Sequence, residues 1–103
     1  MISAATSGFE TAQSGGERAE RPPTVSLLLF AAARLAAGTT GERVPGWVVS
    51  DVLGWAKEKY GADFAAVLDR SRVWVNGSPA TDSHPLSEGD EVAVLPPVSG
   101  GSW

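Results

Sequence analysis

The chain has 103 residues, eight Lys or Arg against twelve Asp or Glu, a net charge of −4 and no cysteine. That length holds one domain, and the missing thiols exclude disulfides, thiolate metal sites and a cysteine nucleophile. The acidic balance opposes general nucleic-acid binding, which needs cations to neutralise phosphates; a basic partner surface suits the chain better.

Residues 1–23 are rich in Ser, Gly, Ala, Thr and Glu, and Ile2 and Phe9 are their only large apolar side chains. So little apolar surface cannot offset chain entropy, and the segment reads as a disordered N-terminal extension. It has neither the basic start nor the apolar run of a secretion signal. Nothing in the chain approaches the roughly 20 apolar residues of a membrane span. The expected location is the cytoplasm, with no membrane and no nucleic acid as partner. The expected folded domain covers 24–95, and a flexible tail covers 96–103.

Val25-Ser26-Leu27-Leu28-Leu29-Phe30 follows a Pro-Pro break and reads as a buried strand. Ala31 to Ala37 has helix-forming composition and stops at Gly38, which fits a helical turn or a loop. Arg43-Val44-Pro45 is a second, short strand limited by its proline. Ser50-Asp51 opens the clearest helix, with Ser50 as the cap and Asp51 at the positive end of the dipole. Val52, Leu53, Ala56 and Tyr60 share one face of it, and Gly61 ends it. Gly54, inside the helix, costs about 1 kcal/mol relative to alanine, so tertiary packing has to hold the helix. Ala62 to Leu68 adds a turn with Phe64, Val67 and Leu68 inward. Arg72-Val73-Trp74-Val75 is a strand in which Trp74 faces away from its valines. Asn76-Gly77 marks a tight turn, Ser78-Pro79-Ala80 a short return, and Glu91 to Leu95 the last strand. Strands flanking one principal helix give an α+β domain with a mixed sheet and that helix on one face.

The chain then closes on Pro96-Pro97-Val98-Ser99-Gly100-Gly101-Ser102-Trp103. A stiff proline pair followed by glycines makes a thin extended segment that can enter a narrow channel. From Leu95 to Gly101 it can reach about 20 Å at roughly 3.3 Å per residue.

Several of these pieces together resemble the ubiquitin-like sulfur carrier family: Leu27 to Arg34, Val49-Ser50-Asp51-Val52-Leu53, Val73-Trp74-Val75-Asn76-Gly77 and Leu86 to Val92. The ending Leu95 to Gly101 is most similar to small subunits of molybdopterin synthase, with the thiamine sulfur carriers as the related type. The resemblance runs from about Thr24 to Gly101. It implies a β-grasp (ubiquitin-like) fold, and it implies that Gly101, preceded by Gly100, carries an acyl-adenylate and then a thiocarboxylate. The implied partners are a ubiquitin-activating-like adenylyltransferase, which uses ATP, and the large subunit of molybdopterin synthase. This chain itself is expected to bind no cofactor or metal and to have no active site of its own. Phe30, Leu95, Pro96, Pro97, Val98 and Ser99 are the expected partner contacts.

Two departures stand out. Val48 replaces a threonine usual in this family, leaving Ser50 to cap the helix. Ser102 and Trp103 follow Gly101, and an acyl-adenylate forms only on a terminal carboxylate, so a metalloprotease is expected to remove them. Other acceptors are open: a sulfur carrier for thiamine, cysteine or a specialised metabolite, a ubiquitin-like protein modifier, or a β-grasp interaction module with an uncharged tail. The remaining polar residues carry weaker signals. His84, the single histidine, reads as a turn residue. Asp82, Glu88, Asp90 and Glu91 form an acidic edge that is either solvated turn or a patch for a basic enzyme. Trp47, Trp55 and Trp74 divide between core and a partner surface.

Overall fold

The computed structural model describes residues 21–97. The extension expected at 1–23 lies almost wholly outside them, as does the segment Val98 to Trp103. In chain order the elements are β1 (Thr24–Leu29), α1 (Ala31–Ala37), β2 (Gly41–Pro45), α2 (Val49–Tyr60), α3 (Ala62–Asp69), β3 (Arg72–Val75), β4 (Ser78–Pro79) and β5 (Glu91–Leu95). The strands form one five-stranded sheet in the order β2-β1-β5-β3-β4. β1 and β5 run parallel at its centre, and every other neighbouring pair is antiparallel. This is the expected α+β arrangement, a mixed β-grasp sheet with its main helix on one face, and α1 and α3 complete the helical layer.

Strict alternation builds the core. Val25, Leu27 and Leu29 of β1 point to the same side as Val44 of β2, Val92 and Val94 of β5 and Val75 of β3. They meet Val49, Val52, Leu53 and Ala56 of α2 and Phe64, Val67 and Leu68 of α3. Phe64 is the largest of the fully buried side chains. Ala33 of α1 is also fully buried, which turns the alanine-rich stretch after β1 into a packed seven-residue helix rather than a loop.

The start of α2 differs from the sequence expectation. Val48, with extended backbone (φ −136°, ψ 167°), occupies the cap position, and Ser50 sits inside the first turn. The helix begins two residues earlier, with Val49 fully buried and its N–H taken by the His84 carbonyl at 3.1 Å. A valine side chain has no acceptor to offer the helix. Capping therefore falls to Asp51, whose carboxylate accepts the N–H groups of Trp47 at 2.9 Å and Val48 at 3.3 Å. This is one half of a capping box.

Two polar clusters fasten the edges. Glu42 on β2 accepts hydrogen bonds from the Lys59 ammonium at 2.8 Å and from the Tyr60 hydroxyl, joining the outer strand to the end of α2. Lys59 also lies 5.1 Å from the centre of the Trp55 ring. At the other end of the sheet, Asn76 and Gly77 both have positive φ (51° and 85°), the type I′ turn that the Asn-Gly pair predicts. The Asn76 amide donates to Asp90 at 3.0 Å and accepts the Glu91 N–H at 2.9 Å, so the turn is tied to the start of β5.

Candidate functional site: the open sheet face and the root of the tail

Because β1 and β5 are parallel neighbours, they end side by side. Phe30 follows the end of β1, and Leu95, Pro96 and Pro97 carry the chain out of β5. Alternation then sorts the side chains. Leu95 lies on the face away from the helices, opposite Arg72 of β3. Pro96 continues the Val92-Val94 series inward and is buried in the domain itself, while Pro97 is half-buried. Pro96 therefore anchors the base of the tail, and it is not part of the surface displayed to a partner. Phe30 is 45% exposed. Val98, Ser99, Gly100, Gly101, Ser102 and Trp103 lie outside the described residues.

The open face has one apolar row running across it. Register places Leu28 of β1 beside Ala93 of β5, Ala93 beside Trp74 of β3, and Trp74 beside Pro79 of β4. Leu28, Ala93 and Trp74 are each half-buried, and Pro79 is exposed. Trp74 is thus on the side opposite Val75, as the alternation predicts. Its indole Nε1 is closed to water and has no hydrogen-bond partner among the described residues. Leu35 of α1, 78% exposed, is the other large apolar side chain that stands out among the described residues besides Phe30. No periodicity in the alanine-rich stretch marks it beforehand.

Of the acidic edge, Glu88 and Asp90 serve the fold, while Asp82 and Glu91 are exposed. Glu88 accepts the Thr24 N–H at 2.9 Å and lies 3.7 Å from Arg43. Asp90 accepts the Asn76 amide and the Ser87 N–H. Those two bonds hold its carboxyl below the usual carboxylate range, with nearby His84 adding a smaller push in the same direction. Glu42 is lowered likewise, first by the Lys59 bond and then by Tyr60. Burial and then the Glu42 contact push the Tyr60 hydroxyl up. His84 is exposed, and no group of three His, Asp or Glu that could hold a metal occurs among the described residues. A shallow groove along α2, lined by Ser50, Asp51, Gly54, Trp55, Glu58 and Lys59, belongs to the helical side and not to the face beside Leu95. Among the described residues no helix is long and apolar enough to cross a membrane.

Chemically, then, the body offers an apolar platform and a rooted exit for the chain, and the described residues assemble no set of reactive side chains. Comparisons with known proteins point the same way. The chain is similar to the molybdopterin synthase sulfur carrier subunit of Phaeosphaeria nodorum, at 34% identity over 74% of this chain and 88% of that protein. The protein of that name from Pyrenophora tritici-repentis is 37% identical over the same shares. Among solved structures, the crystal structure of small archaeal modifier protein 1 from Haloferax volcanii superimposes with a TM-score of 0.68 at 31% identity, covering 76% of this chain and 99% of that one. The model of the ThiS family matches residues 27–101, from the middle of β1 to the second glycine of the tail, and this chain belongs to that family.

Proposed function

We propose that this chain is a sulfur carrier of the molybdopterin-synthase small-subunit type, working through a thiocarboxylate on Gly101. Hydrolysis of the Gly101–Ser102 bond by a metalloprotease releases Ser102-Trp103 and leaves a free carboxylate. In a ubiquitin-activating-like partner that carboxylate attacks the α-phosphate of ATP and displaces pyrophosphate. A sulfur nucleophile then displaces AMP and leaves sulfur in place of one oxygen. In the large synthase subunit the sulfur bonds to a pterin precursor, and water then cleaves the acyl C–S bond, leaving the sulfur on the precursor and restoring the carboxylate. The carrier supplies the acyl end and the docking platform, and its partners supply the chemistry.

The observation that carries this reading is the parallel β1–β5 pair. It puts Leu95 and Pro97, from which the chain continues to Val98-Ser99-Gly100-Gly101, beside exposed Phe30, which supports a docking surface next to the point where that segment begins. Intact-mass spectrometry of the protein from its own host tests it. The expected species ends at Gly101, and part of it carries sulfur in place of one oxygen. Full-length chain alone, under conditions where the pathway runs, would overturn it. In a strain lacking the chain, Gly100→Ala with Gly101→Ala is expected to leave cofactor synthesis unrestored.

A second reading, a ubiquitin-like protein modifier, is favoured by the likeness to a protein named as a small archaeal modifier. Carrier and modifier share the acyl-adenylate and differ in what attacks it, sulfur or a lysine amine. Blotting a host extract for the chain separates them, because a modifier gives a series of higher-mass conjugates.

A further inference from the structure

Two large apolar side chains stand exposed among the described residues, Phe30 at 45% and Leu35 at 78%. Both lie at the end of the sheet where β5 hands over to the C-terminal segment. The parallel register sets Leu29 beside Val94, and one further step along both chains brings Phe30 level with Leu95, about 5 Å away. α1 begins at once. Ala31 turns the chain with φ 50°, a conformation rarely adopted by residues other than glycine. Because Ala33 points into the core, the outer side of this short helix carries Ala31, Arg34 and Leu35, all exposed. Ala31 and Leu35 are one turn apart. A shallow depression there is lined by Arg34, Leu35, Gly38, Thr39 and Thr40.

We infer that this apolar step on α1 is the seat of Trp103 in the uncut chain, with the indole laid over Leu35 beside Arg34 and Phe30. The inference deepens the reading of Ser102-Trp103 as a removable cap, and rests on it for its consequence: uncut, the cap blocks Gly101 covalently and covers the docking surface physically. The length of the segment supports the seat. Six residues lead from Pro97 to Trp103, a reach of about 20 Å at roughly 3.3 Å per residue. Leu35 lies five residues beyond Phe30, about 8 Å along a helix, and Phe30 is about 5 Å from Leu95. The two spans together fall well inside that reach, and Gly100-Gly101 lets the segment double back. The N-terminal extension enters at Thr24, the far end of a six-residue strand, about 20 Å away. Chemistry supports the same occupant. Trp103 is the one aromatic residue after Pro97. An indole removes more apolar surface from water than any other side chain of the segment, and a guanidinium such as that of Arg34 stacks on its face.

The test uses the full chain, the chain ending at Gly101, and the full chain carrying Trp103→Ala or Leu35→Asp. In the full chain, nuclear Overhauser contacts are expected between the Trp103 indole and the Leu35 methyls, unchanged on tenfold dilution. A soluble gadolinium chelate should broaden the Leu35 and Phe30 side-chain signals severalfold less in the full chain than in the chain ending at Gly101. Trp103→Ala, which keeps the length and removes the indole, should give the signals of the trimmed chain. Leu35→Asp should erase the contact while moving the unfolding temperature by no more than about 4 °C, since Leu35 is a surface residue. Leu35 signals that are the same with and without Trp103 overturn the inference. So does a contact that fades on dilution, which would make a second copy the occupant. None of these measurements involves sulfur or a partner, so their failure leaves the sulfur-carrier reading standing. Conversely, failure of that reading by intact mass leaves the contact to be decided by the spectra.

Discussion

Replacing Gly41 by alanine should damage this protein far more than the same change at Gly38, although both glycines have positive φ. At Gly38 (φ +76°) a Cβ would meet nothing within 4 Å, so Gly38→Ala carries only the conformational penalty of a left-handed residue, about 1 kcal/mol. At Gly41 (φ +150°) a Cβ would stand 2.0 Å from the Leu27 carbonyl oxygen and 3.1 Å from its carbon. Both atoms are backbone in a central strand, so no side chain can swing aside, and β2 has to shift away from β1. Conformational strain of about 1–3 kcal/mol adds to that displacement, for a total of about 3 kcal/mol. Typical domains have only about 5–15 kcal/mol in all, and one this small sits near the bottom of that range. The assay is urea unfolding followed by tryptophan fluorescence. With a slope of roughly 1–3 kcal/mol per molar, Gly41→Ala should lower the midpoint by about 1–3 M and Gly38→Ala by under half as much. Equal midpoints for the two variants would refute the close approach of β2 to Leu27.

Val48→Thr places a hydroxyl beside the Asp51 N–H, which already donates to the Val48 carbonyl at 3.0 Å, so the new acceptor shares that donor and thermal unfolding should rise only slightly, by about 0.5 kcal/mol; a fall in the transition would refute the placement of Val48 at the cap. Glu42→Gln tests the link between β2 and α2. Because the folded-state pKa of Glu42 is lowered, its contribution is present above its unfolded value of 4.5 and fades as pH falls through the folded value. Unfolding midpoints of Glu42→Gln and the unaltered protein should differ at pH 7 and converge in acid once Glu42 is protonated in the folded state, and a gap that does not narrow as the pH falls would contradict the assignment. Phe64→Ala empties the largest fully buried position and should cost about 3–5 kcal/mol, leaving little cooperative transition in calorimetry; a sharp transition near the original temperature would show that Phe64 is not central to packing.

Much of the fold was legible because its signals are local. The apolar runs Val25 to Leu29 and Val92 to Leu95, the Asn76-Gly77 turn and the apolar stripe of α2 each depend on neighbouring residues, and each is found in place. The order of strands is not local. Nothing in either apolar run says that the first and last strands lie side by side and parallel; only the resemblance implied it. α1 was ambiguous because alanines favour helix without showing which face is buried, and only contact with α3 decides that Ala33 points in and Leu35 out. Ser50 looked like a cap by type, yet the burial of Val49 starts the helix two residues sooner. At the candidate site, Phe30 and Leu95 could be named from the sequence, but the inward turn of Pro96 and the stranded indole of Trp74 emerge only once the register is fixed.

The pairing of β1 with β5 also sets when the molecule can form. The two central strands come from opposite ends of the domain, so the sheet has no middle until its final segment has been synthesised and freed. Such long-range contacts must be closed before they are rewarded, which slows folding relative to local topologies. A chain that stops short of β5 lacks the strand that joins β1 to β3, and so lacks the centre of the sheet. The geometry thereby makes folding wait for completeness: the two halves of the sheet meet only through the last strand to leave the ribosome.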